Sequence, residues 1–350
     1  MSSAVPARMR AARIHRFGEP LELVEVPVPE PGPGEILLRV RAAGICATDL
    51  KLRAGETKPA PSLPHIPGHE VAGEVVAGDE LHPTGTRAAC YLLYSCGHCE
   101  ECERGLPVLC AEATRLGLDR DGGMAEYVRL PAAHVLPIGD EVPFAAAAVS
   151  MDSVLTPWFA LHRTGSLRAG EAALIVGVGG LGGNAVQLAV AAGARVAAVD
   201  VDRGRLDAAL AAGAELAVAP EEIERVLDWS GVGVDLALEV SGRPEGFDAA
   251  ARAIRAGGRI VCCGYAPGRP YGMDSGRLVL DNIRILGSRN ADLDAAQAAL
   301  GAVAAGEVKP RIADVLPLAA VNEALDRLAA GGADGRLVLD PVDQDARSAP

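Results

Sequence analysis

The sequence predicts an α/β protein of two parts, an irregular β-rich domain and a doubly wound parallel sheet, and three observations carry that expectation. Its 350 residues exceed one ordinary hydrophobic core and suit roughly two domains. From Met9 to about Val149 the chain runs in short alternating segments such as Ile36-Leu37-Leu38-Arg39-Val40. Proline and glycine break them, as in Pro27 to Gly34 and Pro59 to Gly68, a pattern of strands and turns. After Leu155 apolar runs alternate with alanine-rich amphipathic stretches, as in layered helix-on-sheet domains.

Within that second part strands are expected near 173–178, 195–200, 215–219, 234–240, 259–264 and 283–287, mostly separated by helical patterns. Six such strands fit two mononucleotide-binding halves. Helical stretches over about 292–305 and 318–330 and a last strand from Arg336 to Leu339 follow, and the tail from Gln344 to Pro350 reads as frayed. With 33 Lys+Arg against 46 Asp+Glu the formal charge is -13, which repels polyanions, so no nucleic-acid partner is expected. No uninterrupted run approaches the ~18 apolar residues that span a bilayer, and the amino terminus lacks the apolar core of a secretory signal. A cytoplasmic protein without a membrane partner is therefore expected.

Strand Ala173-Leu174-Ile175-Val176 leads directly into Gly177-Val178-Gly179-Gly180-Leu181-Gly182, and a helical pattern from Asn184 to Ala192 follows. A G-x-G-x-x-G turn between strand and helix is the dinucleotide-binding fingerprint of a Rossmann sheet. Gly177 makes the tight turn, Gly179 lets the backbone approach a pyrophosphate, and Gly182 lets the helix pack on the strand. Asp200 ends the second strand, where a carboxylate accepts both hydroxyls of an adenosine ribose and repels a 2′-phosphate, so NAD is expected over NADP. Arg205 lies either along the adenosine or in solvent as a helix charge.

Cys96-x2-Cys99-x2-Cys102-x7-Cys110 places four of the eight cysteines in one loop. At that spacing they read as ligands of one tetrahedral zinc, with Zn–S of about 2.3 Å, rather than as disulfides. Four thiolates leave no position for substrate, so this ion is structural, stapling a loop that carries Glu100, Glu101, Glu103 and Arg104. A second, dispersed constellation consists of Cys46 within Gly44 to Asp49 and His69 within Gly68-His69-Glu70, both in glycine-punctuated turns. Cys90, Cys262 and Cys263 read as buried thiols. His15, His65, His82, His98, His134 and His162 lack a ligand pattern, and His98 faces an ion already saturated by thiolates.

From about Met9 to Asp340 the chain resembles the zinc-containing medium-chain alcohol dehydrogenase family. Five ordered motifs carry the resemblance: Gly44 to Asp49, Pro67-Gly68-His69-Glu70, the four-cysteine loop, the glycine fingerprint, and Gly335-Arg336-Leu337-Val338-Leu339. It implies a GroES-like catalytic domain from 1–152 and 289–350 and a Rossmann domain from 153–288. It also implies one catalytic and one structural zinc per chain, NAD, and a homodimer or homotetramer. In the family the catalytic zinc takes a cysteine, a histidine and a third residue preceding the coenzyme domain, which makes Cys46 and His69 the first two. Where the family often reads Cys-x-x-x-Thr, this chain reads Asp152-Ser153-Val154-Leu155-Thr156. A carboxylate there makes the zinc a harder Lewis acid; Glu70 is the rival ligand, and a helix-capping Asp152 the structural alternative.

The same resemblance implies that Thr48 takes the alcohol proton and Asp49 holds the His69 ring. The family's histidine three residues after that threonine is here Lys51, which leaves the last relay step open. Arg336 either pairs with the coenzyme pyrophosphate or is an exposed strand arginine. The implied activity is reversible hydride transfer between an alcohol and NAD, giving an aldehyde or ketone. A polyol, sugar or aminocyclitol substrate is the alternative within the family, and a non-catalytic zinc-stapled NAD-binding sensor the alternative of another class. Leu92, Leu93, Trp158 and Phe159 either line an apolar substrate pocket or belong to ordinary core.

Overall fold

The longest strand, Glu35–Ile45, is mostly buried, with Glu35, Arg39 and Arg41 its charged residues, and forms the centre of a mixed seven-stranded sheet in a computed structural model of the chain. The structure describes residues 5–331 and 334–342; the stretch Gln344 to Pro350 expected to fray lies outside them. The neighbours run in the order Ile312–Pro317, Arg336–Asp340, Glu35–Ile45, Glu70–Ala77, Arg87–Cys90 and Val135–Pro137, with Tyr127–Pro131 also paired to the central strand. A two-stranded antiparallel ribbon, Arg8–Arg13 with Glu22–Pro27, belongs to the same unit.

Sheet register brings distant residues together. Gly44 pairs with Glu70, and Ile45 pairs with Leu337. Cys46, Glu70 and Arg336 thereby meet at one end of three adjacent strands, although they lie far apart in sequence.

A continuous helical segment, Phe144–Thr164, is absent from the sequence-based expectation. It alternates α turns, Phe144–Val149 and Leu155–Phe159, with π turns, Ser150–Val154 and Ala160–Thr164. Pro157 and the polar Ser150, Asp152 and Ser153 interrupt the 3.6-residue period that would reveal a helix. By length and composition these 21 residues are long and apolar enough to cross a membrane, which corrects the sequence-based expectation, but 67% of the apolar window is buried inside the protein, as in a core helix.

The second unit comprises Ser153–Ala291 with Ala305–Arg311; the first comprises the described residues up to Asp152, Asp292–Ala304, and those from Ile312 onward. In this division 305–311 packs with the second unit. Six parallel strands form its sheet: Ala172–Val176, Arg195–Val199, Leu216–Val218, Val234–Glu239, Ile254–Cys262 and Arg284–Gly287. Counted along the chain they lie in the order third, second, first, fourth, fifth, sixth, the doubly wound arrangement whose reversal beside the first strand creates a ligand crevice. The fifth strand starts earlier than anticipated, since helix Pro244–Ala253 runs straight into it through a register shift. Phe247, Leu174, Val176, Ile260 and Val218 pack at the core, with Tyr271 stacked on Phe247 at 4.8 Å. Burial of each large apolar side chain contributes about 1.5–3 kcal/mol.

Candidate functional site

Cys46 ends the central strand and caps helix Ala47–Ala54. Its backbone N–H donates to Asp49 Oδ2 at 2.8 Å, while Asp49 Oδ1 lies 3.4 Å from His69 Nδ1. One buried carboxylate thus fixes the helix start and faces the imidazole, leaving Nε2 as the histidine's coordinating nitrogen. Gly68, at φ +103°, delivers His69; a Cβ there would stand 2.7 Å from the Met124 backbone nitrogen. A side chain at Gly44 would overlap the Glu70 carboxylate. Both glycines are therefore required by close approach.

Ligand atoms of Cys46, His69, Glu70 and Asp152 all lie within 4.8 Å of one another. Asp152 projects from the π turn Ser150–Val154. Its Oδ2 accepts from Cys46 Sγ at 3.3 Å and from Arg336 Nη2 at 2.7 Å. The same Nη2 lies 2.8 Å from Glu70 Oε1 and 3.7 Å from Cys46 Sγ. Arg336 is 6% exposed, which overturns its reading as an exposed strand arginine. Its contacts here are the carboxylates and thiol of this cluster. Thr48 Oγ1 is 3.7 Å from Cys46 Sγ, and Lys51 follows one turn later on the same helix.

Electrostatics in this cluster follow from its charges. Burial raises the Glu70 carboxyl to about 8 despite Arg336. For Asp152, burial raises the carboxyl but Arg336 and His69 outweigh it, and the carboxyl lies below its ordinary value. Burial likewise disfavours charge on His69, yet Asp49 and Cys46 raise it well above the usual imidazole range. Both Glu70 oxygens are buried without an aligned hydrogen bond, the condition a bound cation relieves.

In the four-cysteine loop Cys99 Sγ to Cys102 Sγ is 3.5 Å, Cys110 Sγ to Cys96 Sγ 3.6 Å and Cys96 Sγ to Cys102 Sγ 4.0 Å. A tetrahedron of sulfurs about 2.3 Å from a zinc has edges of about 3.8 Å, so the loop fits the ion. Backbone N–H groups of Cys99 and Cys96 donate to Cys96 Sγ and Cys110 Sγ. His98 Nδ1 lies 3.1 Å from Cys96 Sγ, a proximity the sequence pattern does not suggest. Cys90 is fully buried as expected, whereas Cys262 and Cys263 are half-buried, a correction.

In the second unit, strand Ala172–Val176 enters the turn Gly177 to Gly182, and helix Gly182–Ala191 leaves it. Gly177 adopts φ +90°, and a Cβ on Gly182 would overlap the Gly177 carbonyl oxygen. At Gly179 a Cβ would meet nothing, so this part of the turn faces open space, with Gly180 and Leu181 between it and the helix. Asp200 is buried; its Oδ2 accepts the Val178 N–H at 2.6 Å and its Oδ1 the Asp202 N–H at 2.9 Å. Arg205 is half-buried with Nη1 3.9 Å from Asp200 Oδ1. Asn184, which no sequence motif singles out, is buried and donates from Nδ2 to Ser153 O, Ser153 Oγ and Gly180 O.

Residues 32–140 match the family described as Alcohol dehydrogenase GroES-like domain, and residues 180–305 the family described as Zinc-binding dehydrogenase. The chain is 38% identical over 340 residues to an alcohol dehydrogenase of Geobacillus stearothermophilus, covering 95% of this chain and 99% of that one. It is 32% identical over 346 residues to an NAD-dependent alcohol dehydrogenase of Sulfolobus acidocaldarius, covering 95% and 99%. The structure of acetophenone reductase from Geotrichum candidum in complex with NAD is similar, with a TM-score of 0.85, 30% identity and coverage of 98% and 100%. A GroES-like domain and a Rossmann sheet in one chain, with clusters of zinc-ligand type, define a zinc-binding dehydrogenase. The chain belongs to the zinc-containing medium-chain alcohol dehydrogenase family. As a member it is an enzyme, a zinc-dependent oxidoreductase of alcohols.

Proposed function

We propose that this chain reversibly oxidises an alcohol to an aldehyde or ketone with NAD, using Cys46, His69 and Asp152 as catalytic zinc ligands and the four-cysteine loop as a structural zinc site. The carrying observation is the convergence of Cys46, His69, Glu70 and Asp152 on a common volume within 4.8 Å. When bound, zinc polarises the alcohol oxygen and NAD accepts the hydride. Cys46, His69 and Asp152 hold the ion, with Glu70 the rival carboxylate. Asp49 orients His69 through Nδ1, and the Thr48 hydroxyl takes the alcohol proton. Lys51, one turn further on, is the candidate for passing that proton outward. The Gly177 to Gly182 turn cradles the pyrophosphate. Asp200, with Arg205 beside it, reads the adenosine ribose in favour of NAD, and Arg336 is available to the coenzyme as well as to the carboxylates.

An apolar, medium-sized alcohol is the proposed substrate and a polyol the alternative; Leu92 and Leu93 are buried, as ordinary core would be, and Trp158 is half-buried against His162. A second copy of the chain is the proposed partner. The last strand of the six-stranded sheet, Arg284–Gly287, has one paired neighbour among the described residues. Ile285 on it and nearby Val279 and Leu280 are exposed, at 43%, 72% and 85%. The reduced thiols of both clusters suit the cytoplasm. Metal analysis with an NADH-formation screen over primary, secondary, aromatic and polyol alcohols tests the reading. Two zincs per chain and turnover are expected, with one zinc and most activity lost in Asp152→Ala. A chain that binds one zinc and turns over no alcohol contradicts it.

A further inference from the structure

Glu239 ends the fourth strand of the parallel sheet between Val176 of the first and Cys262 of the fifth, at the reversal of strand order where the ligand crevice opens. It is fully buried, and donors surround its carboxylate. Oε1 accepts the Ser241 N–H at 2.8 Å, the Gly242 N–H at 3.0 Å and the Ser241 hydroxyl; Oε2 accepts the Tyr271 hydroxyl at 2.9 Å. The Ser241-Gly242 loop held in this way lies between the glycine turn and the chain leaving the fifth strand. A Cβ on Gly177 would stand 3.0 Å from the Ser241 nitrogen, and one on Gly264 would overlap the Gly242 nitrogen. Tyr271 closes the arrangement from the far side. Its hydroxyl also lies 2.8 Å from the Gly264 carbonyl oxygen, so one hydrogen is shared between two acceptors, and its ring stacks on Phe247. The N–H groups of Cys263 and Gly264 bond to the Glu239 carbonyl and fix where this segment begins, and the Tyr271 hydroxyl fixes where it returns. Between those points the segment carries Tyr265, 65% exposed, and Arg269, whose surface pair with Glu245 constrains it little.

We propose that Tyr271 is a positioning residue that, through Glu239 and Gly264, presets residues 263–265 for the nicotinamide half of the coenzyme. The inference rests on the proposed function, in which this crevice holds NAD. A doubly wound sheet consists of two mononucleotide-binding halves. Asp200, just beyond the second strand of the first half, serves the adenosine; the segment just beyond the second strand of the second half, 263–265, serves the other nucleoside. Without the hydroxyl the segment has to be ordered as that nucleoside arrives, and the cost falls on the nicotinamide half alone. The adenosine half, held by Asp200 and the glycine turn, does not depend on it.

The test is Tyr271→Phe, which keeps the ring on Phe247 and loses only the hydroxyl. Affinities for NADH and for ADP, which lacks the nicotinamide nucleoside, are measured by calorimetry on the full-length, zinc-loaded chain. NADH affinity should fall at least about fivefold, within what one hydrogen bond to a charged acceptor contributes, while ADP affinity changes by less than about twofold. Amide hydrogen exchange over residues 264–271 should quicken in the coenzyme-free variant and slow again with NADH but not with ADP. A smaller loss of NADH affinity, an equal loss for ADP, or unchanged exchange overturns the role given to Tyr271. A general structural defect would weaken both nucleotides together, so the difference between them separates positioning from damage. If the unaltered chain binds neither nucleotide, the coenzyme-site reading itself fails, and the inference with it.

Discussion

Arg336→Met is the most informative perturbation, because among the described residues the Arg336 guanidinium is seen to contact both carboxylates of the proposed catalytic cluster. It lies 2.7 Å from Asp152 Oδ2 and 2.8 Å from Glu70 Oε1, and Glu70 has no exposed surface. Removing one partner of a buried ion pair costs about 3–5 kcal/mol, since the other charge is left uncompensated. Glu70 limits that cost. Its carboxyl is pushed up to about 8 and readily takes a proton near neutral pH, so Asp152 is the charge mainly left unpaired. The expected loss in the metal-free protein is therefore near the lower end, about 3 kcal/mol, or roughly a 150-fold change in the folding equilibrium. A zinc ion among the same residues returns positive charge, so the zinc-loaded variant should lose clearly less. Urea unfolding of both forms, with and without zinc, measures the two losses. A metal-free loss below about 1 kcal/mol, or equal losses in both forms, refutes the reasoning.

Individual positions carry further expectations. Gly182→Ala places a methyl group against the Gly177 carbonyl, so NAD binding should be lost while both zincs remain, measurable by coenzyme titration and metal analysis. Burial holds His134 and His162 below the ordinary imidazole value. Their folded forms thus resist protonation that the unfolded chain accepts, so stability should decline as pH falls through about 6.5. The urea midpoint should track this, and a double His134→Gln/His162→Gln variant should show a shallower decline. Under the proposed self-association, Leu280→Glu should shift the protein toward smaller species in sedimentation analysis without removing zinc.

Local grammar made much of this protein legible in the sequence. The glycine turn between strand and helix, the cysteine spacing and the six apolar runs each need only neighbours in the chain, and strand positions fell close to those expected. The fifth strand and the helix Phe144–Thr164 departed because a bulged register, Pro157 and two π turns obscure the usual periods. Tertiary structure alone brought Arg336 into the cluster around Cys46. Pairing of Gly44 with Glu70 and of Ile45 with Leu337 brings Arg336 to residues almost three hundred positions away, a juxtaposition set by sheet register. The same holds for Asn184 and Ser153: hydrogen-bond satisfaction is a condition on the folded interior, and the chain reveals which donor meets which carbonyl only once the layers have packed.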